Sequence, residues 1–187
     1  AVLAVIFLTV VNYFGIKKAG RLNTIVVGVT LVSLVAFALF GFSSVQMDNF
    51  HPFAPNGWNG VLESAALLFF AYTGYARLAT LGEEVHDPKK TIPKAISWTI
   101  VAIFLYAIVA FVAVGLVGSE GLGGNASPLV YAAKNTSAPF TSTIVSIGAT
   151  TAMLGVLLSQ ILGISRMSYA MARRQDLPKF LDHVSTT

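Results

Sequence analysis

The sequence predicts an all-α, polytopic membrane helical bundle, and three observations predict it. Of 187 residues, 55% are hydrophobic and only 11% are charged, with a mean hydropathy of +0.74. A water-facing domain spends roughly a quarter of its residues on charge, so an ordinary soluble enzyme is excluded. The apolar residues gather into five runs, each apolar around most of its circumference, as a helix surrounded by lipid or buried in a bundle must be. The cations gather in alternate connections between those runs.

The first run, residues 1–16, is short for a crossing that needs roughly 20 residues and begins without a cap or charge. It reads as a span cut by the end of the chain, with further sequence expected upstream. A secretory signal would need a basic start and a small-residue cleavage site, and neither is present. The second run covers residues 22–42, the third 60–81, the fourth 96–117 and the fifth 143–164, leaving 165–187 as a cytoplasmic tail.

Lys17, Lys18 and Arg21 lie between runs one and two; Lys89, Lys90 and Lys94 lie between three and four; Arg166, Arg173, Arg174 and Lys179 follow run five. The intervening connections, 43–59 and 118–142, hold only Lys134. Alternating crossings put the Lys/Arg-rich segments on one side, which the positive-inside rule makes cytoplasmic. This skew accounts for the formal net charge of +4 with no nucleic-acid partner. The partner it implies is the lipid bilayer of a cell membrane.

On the outer side, the stretch from Asn49 to Trp58 mixes aromatics with Pro and Gly, which suits a lid or anchor at headgroup level. Asn125-Ala126-Ser127 and Asn135-Thr136-Ser137 match the glycosylation sequon, a pattern too short to carry weight. With no cysteine in the sequence, disulfides, thiol catalysis and Cys-ligated metals are excluded. No cofactor is called for.

The third run carries the chemistry. Gly74 sits among Phe69, Phe70, Tyr72, Thr73 and Tyr75, with Arg77 three positions on. By periodicity alone a mid-membrane glycine is first a close-approach position for a neighbouring helix. The alternative is an interrupted helix, tolerated only where protein or a water-lined cavity satisfies the freed backbone groups. Arg77 has the same two faces: snorkelling to the surface, or an intramembrane charge with a partner. The connection that follows, Glu83 to Ile96, packs acids, lysines and two prolines together; Thr91 is expected to cap the next helix, with Pro93 in its first turn. His86 beside Glu83 and Glu84 lacks zinc-site spacing and reads as a solvated histidine.

Phe69-Phe70-Ala71-Tyr72-Thr73-Gly74-Tyr75, followed by Glu83-Glu84-Val85-His86-Asp87-Pro88-Lys89-Lys90-Thr91-Ile92-Pro93, resembles the sixth-helix signature of the amino acid-polyamine-organocation (APC) family of amino acid permeases. Asn12-Tyr13-Phe14-Gly15-Ile16-Lys17 resembles the family's join of helices four and five. The stretch from Arg166 to Pro178 resembles its segment after helix eight. The likeness implies helices four to eight of a longer transporter with inverted five-helix repeats and a broken sixth helix. It also implies that the broken first helix, which in the family binds the substrate carboxylate, lies outside this chain, so that these residues alone should not transport.

In the family the unwound part of helix six meets the substrate ammonium through carbonyls. By resemblance those contacts fall on Ala71, Tyr72, Thr73 and Gly74, and the aromatic wall on Phe70. The physics is sound: carbonyls at a half-helix C-terminus attract a cation, and an aromatic face can hold an ammonium. Two departures bear on the substrate. Many members carry an acid where this chain has Ala76, and some proton-coupled members a lysine where it has Thr30; neutral amino acids are therefore the expected cargo, and the coupling ion, H+ or Na+, is left open.

On the fifth run Gly155, Ser159 and Gly163 recur every four residues and share a face. A small-residue packing seam is the first reading; the other has Ser159 offering oxygen to a coupling-ion site. Ser33 and Thr30 on run two are read similarly, as hydroxyls that bond back to their own helix or line a pathway. Two rival functions were weighed. An intramembrane enzyme needs a nucleophile with its base or a metal cluster, and the runs hold neither His nor paired carboxylates. A transporter-like amino acid sensor or binding subunit keeps the fold without moving solute, and sequence separates it poorly from a permease.

Overall fold

The computed structural model describes residues 2–13, 16–54, 56–71 and 87–178. Every regular element among them is helical: α1 (Val2–Tyr13), α2 (Ile16–Phe42), a 3₁₀ turn (Met47–Phe50), α3 (Gly57–Ala71), α4 (Pro88–Gly123), α5 (Pro128–Ala133) and α6 (Thr141–Arg173). The chain is an all-α integral membrane protein. Among the described residues three helices are long and apolar enough to cross a bilayer, Gly20–Phe42, Pro88–Gly123 and Thr141–Arg173, and Val2–Val11 is a shorter apolar helix. With no water in the hydrocarbon to satisfy the backbone, helix is the one open-chain solution for such sequences. Hydroxyls within these helices follow the same economy: Thr9, Thr24, Ser64, Ser97, Thr99 and Ser146 each donate to the carbonyl four residues back.

The chain divides into two compact units, residues 1–31 with 149–187, and residues 32–148. In the first, α1, the N-terminal part of α2 and the C-terminal part of α6 meet around Leu8 and Leu158, 3% and 1% exposed, with Leu22, Leu154, Leu157, Ile161 and Leu162 packed about them. The pairing of α2 with α6 is antiparallel here, since Thr30 meets Thr151 while Val26 meets Gly155.

The second unit is built on Phe37, Val112, Ala132 and Ala133, all fully buried, together with Leu116 and Val145. Glycines allow this packing at two places. A Cβ on Gly41 would lie 2.5 Å from Val112 Cγ1, and one on Gly115 would lie 2.6 Å from Val45 Cγ1. Phe40 meets Phe140 edge to face at 5.1 Å, and Ser137 Oγ donates to the Phe40 carbonyl at 3.2 Å.

The start of α4 corrects the sequence reading. Thr91 is not its cap and Pro93 is not in its first turn. The helix begins a turn earlier, with Pro88 in the first turn after Asp87, and Pro93 lies inside it. The reason is physical: the fixed φ of proline suits the first helical position, Pro88 takes it, and the Asp87 carbonyl then receives the amides of Lys90 and Thr91 at 3.1 and 3.0 Å. At its far end α4 has a kink: Gly118 adopts φ 69°, ψ 171°, a left-handed φ open to glycine and strained for other residues. α6 continues past the expected span, so the segment from 165 to Arg173 is helical.

Candidate functional site

The last described turn of α3 carries Phe69, Phe70 and Ala71, two large aromatic side chains followed by a good helix former. Among the described residues α3 buries none of its side chains, and Phe70 is 71% exposed. Its ring lies edge to face with Phe69 at a centroid distance of 6.2 Å and an interplanar angle of 76°. Ala71 is exposed. Phe70 thus lies directly before the glycine-containing stretch in the sequence, with its ring against Phe69. Tyr72, Thr73 and Gly74, with Ala76, Arg77 and His86, lie outside the described residues.

The two positions read as pathway or coupling-ion candidates fall in the unit formed by residues 1–31 and 149–187. Thr30 Oγ1 reaches the Val26 carbonyl at 3.0 Å and also lies 3.0 Å from Thr151 Oγ1. It therefore bonds back to its own helix and bridges to α6 at once. Ser159 is half-buried on α6, next to the core residue Leu158. Between them along α6, Gly155 gives up its side chain to Val26, whose Cγ1 would stand 3.1 Å from an added Cβ. At Gly155 the four-residue repeat is a packing seam. Ser33, 4% exposed, occupies the equivalent notch in the other unit, where a Cβ on Gly148 would collide with its hydroxyl.

Sequence reasoning missed three polar features. Thr151 is the partner of Thr30, and it stands four residues before Gly155, so the repeat that flagged Gly155 and Ser159 already contained it. Asn23 Oδ1 is buried without a hydrogen-bond partner among the described residues and lies 3.8 Å from where a Gly155 Cβ would be; an amide inside an apolar run was its signal. The third is a latch on α4. Three residues before the kink at Gly118, the Gly115 carbonyl accepts from two donors outside the helix, Gln46 N at 2.9 Å and Asn49 Nδ2 at 2.8 Å. Phe50 seals the contact by stacking on Phe111 at 4.9 Å. Phe53 and Trp58, in contrast, point outward at 87% and 81% exposure. The side chains of Asn125 and Asn135 donate to the Gly121 and Tyr131 carbonyls, which gives both asparagines a local structural task.

Chemically, the described residues supply neutral oxygens and aromatic faces rather than titratable clusters. Among them no group of three or more His, Cys, Asp or Glu side chains could hold a metal ion.

Comparison with known proteins gives these elements a context. The family model for amino acid permeases matches residues 1–186. An uncharacterized transporter of Mycobacterium tuberculosis is 42% identical over 185 residues, a match covering 97% of this chain and 42% of that protein. The branched-chain amino acid permease of Lactococcus lactis is 30% identical over 190 residues, covering 97% of this chain and 41% of the relative. A methylthioribose transporter of Bacillus subtilis is 33% identical over 183 residues, covering 95% of this chain and 39% of the relative. The chain spans 39% to 42% of the length of these relatives.

Proposed function

The chain belongs to the amino acid permease family, and from that premise we propose that it forms part of a secondary transporter that carries neutral amino acids across the cell membrane by alternating access. The observation that carries the proposal is the family match over residues 1–186, which covers the glycine-containing stretch after α3. In this reading the five spans are 1–16, 22–42, 60–81, 96–117 and 143–164, with a cytoplasmic tail at 165–187. Backbone carbonyls of Ala71, Tyr72, Thr73 and Gly74 hold the substrate ammonium. Phe70 walls the side chain; its aromatic ring, two positions before Tyr72 in the sequence, supports that role.

Thr30 and Ser159 line the coupling-ion path. The Thr30 to Thr151 contact supports a polar seam between α2 and α6 there, with H+ or Na+ as the ion. Cargo without net charge follows from Ala76, which leaves a second positive charge on the substrate without a counter-ion. The branched-chain permease among the relatives fits that choice. A second reading has its own support: the methylthioribose transporter is 33% identical, so an uncharged thioether sugar is a rival cargo. In either case the activity is transport, not catalysis.

The test is counterflow by the intact permease in liposomes loaded with unlabelled leucine, alanine, arginine or methylthioribose. Uptake of labelled leucine or alanine driven by their own gradients is expected. Preference for arginine would overturn the neutral assignment, preference for methylthioribose the amino acid one, and specific binding without counterflow would favour a sensor.

A further inference from the structure

Helix α4 is longer than a membrane is thick. From Pro88 to the kink at Gly118 it runs about 30 residues, which at 1.5 Å per residue is about 45 Å, against a hydrocarbon core of about 30 Å. The surplus lies at one end. Gly118 is followed by Ser119 and Glu120, which mark the outer boundary; about 20 residues back, one core thickness, lies Trp98. Tryptophan is the residue that favours the interface itself.

One and two turns beyond Trp98 stand Lys94 and Lys90, about 6 and 12 Å further along the axis, the depth of lipid phosphates. Their four-residue spacing sets Lys90, Lys94 and Trp98 along one side of the helix. All three are exposed, and the side continues into exposed Val101, Phe104 and Ile108. Lys90 also lies 3.4 Å from Asp87, but with side-chain exposures of 87% and 52% that surface pair is weak and leaves the ammonium free to reach a second anion. Lys94 has no ion pair among the described residues.

We propose that this ladder is a binding site for a phospholipid with a net negative headgroup. Lys90 and Lys94 grip its phosphate, Trp98 sits against the glycerol region, and the Val101, Phe104 and Ile108 side receives an acyl chain. A cation ladder graded into an aromatic and then into aliphatic side chains matches the order of groups along one lipid molecule. The site lies at the start of the helix that follows the proposed substrate stretch, and it stands whether or not the cargo assignment does.

The test titrates the intact permease in mild detergent with dioleoylphosphatidylglycerol, with dioleoylphosphatidylcholine and with glycerol 3-phosphate, following retained lipid by native mass spectrometry and thermal stability in parallel. Phosphatidylglycerol is expected to bind and stabilise, and the two other compounds are not. Lys90→Gln with Lys94→Gln should weaken phosphatidylglycerol binding on the order of twenty-fold, at roughly five-fold for each lysine near a charged surface. Lys90→Arg with Lys94→Arg should retain it, and Lys134→Gln, on the opposite side, should leave it unchanged. Phosphatidylglycerol carrying brominated acyl chains should quench wild-type fluorescence more than that of Trp98→Phe, a readout that needs no lysine variant. Undiminished binding by the double Gln variant, equal binding of phosphatidylcholine or glycerol 3-phosphate, or quenching independent of Trp98 would each overturn the proposal.

Discussion

Two glycines of one helix differ in what surrounds them. Gly41 faces Val112 at 2.5 Å from a prospective Cβ, and Val112 is fully buried with no room to swing away, whereas Gly28 has nothing within 4 Å. Gly41→Ala is therefore expected to destabilise the protein by about 1–3 kcal/mol through overpacking. Gly28→Ala should be neutral or raise stability by up to about 1 kcal/mol, because glycine in mid-helix carries an entropic penalty. Thermal melts in one detergent check both; equal effects at the two sites would contradict the packing.

The bridge from Thr30 to Thr151 can be weighed the same way. A double-mutant cycle with Thr30→Val and Thr151→Val should return a coupling of about 0.6 kcal/mol, the usual worth of an interhelical hydrogen bond in membranes. The sequence signalled Thr30 by type but not Thr151 as its partner, because that pairing depends on the register of α2 against α6, a tertiary quantity that no single helix encodes.

At the level of elements, apolar runs made the helices visible, since burial in lipid demands continuous hydrophobicity. Their ends were less visible. Two prolines compete to start α4, and local preference alone does not choose between Pro88 and Pro93; the structure selects the earlier one and accommodates the later inside the helix. The stretch from Asn49 to Trp58 stood out through its aromatics, Pro and Gly, but the latch within it was not legible, because it depends on a carbonyl three residues before the kink at Gly118, some 70 residues on.

That latch carries the next prediction. Asn49→Ala removes one of two donors to the Gly115 carbonyl and leaves Gln46 N in place, so the loss should be modest, about 0.5–1.5 kcal/mol. Hydrogen exchange should accelerate at 46–50 while the middle of α4 keeps its protection. Uniform acceleration along α4 would mean that Asn49 does more than hold the turn.

For the whole molecule, what matters is which parts cooperate in binding a solute. Phe70→Ala is expected to weaken binding of leucine more than of glycine by roughly 1–3 kcal/mol, the value of an apolar side chain in contact with its wall, measured as ligand-induced thermal shifts of the intact permease. Equal losses for both ligands would reduce Phe70 to a packing residue. Gly74→Leu should abolish those shifts while leaving membrane insertion intact; retained affinity would remove the carbonyl site from this stretch. The proposed site is a motif in the sequence, Gly74 among Phe69, Phe70, Tyr72, Thr73 and Tyr75. What would enclose it is not legible, because a sequence motif does not encode which helices pack around it, and the relatives are more than twice the length of this chain.

The stapled 3₁₀ turn also offers a handle. Met47 projects from it with 67% exposure while its neighbours Gln46 and Asn49 are tied to α4. Because these 187 residues contain no native thiol, Met47→Cys would accept a spin label or dye at a defined point, and the probe would travel with α4, to which the turn is tied. Any distance change recorded from it when a solute is added to the intact protein would therefore report displacement of α4 itself, converting a passive clasp into a ruler.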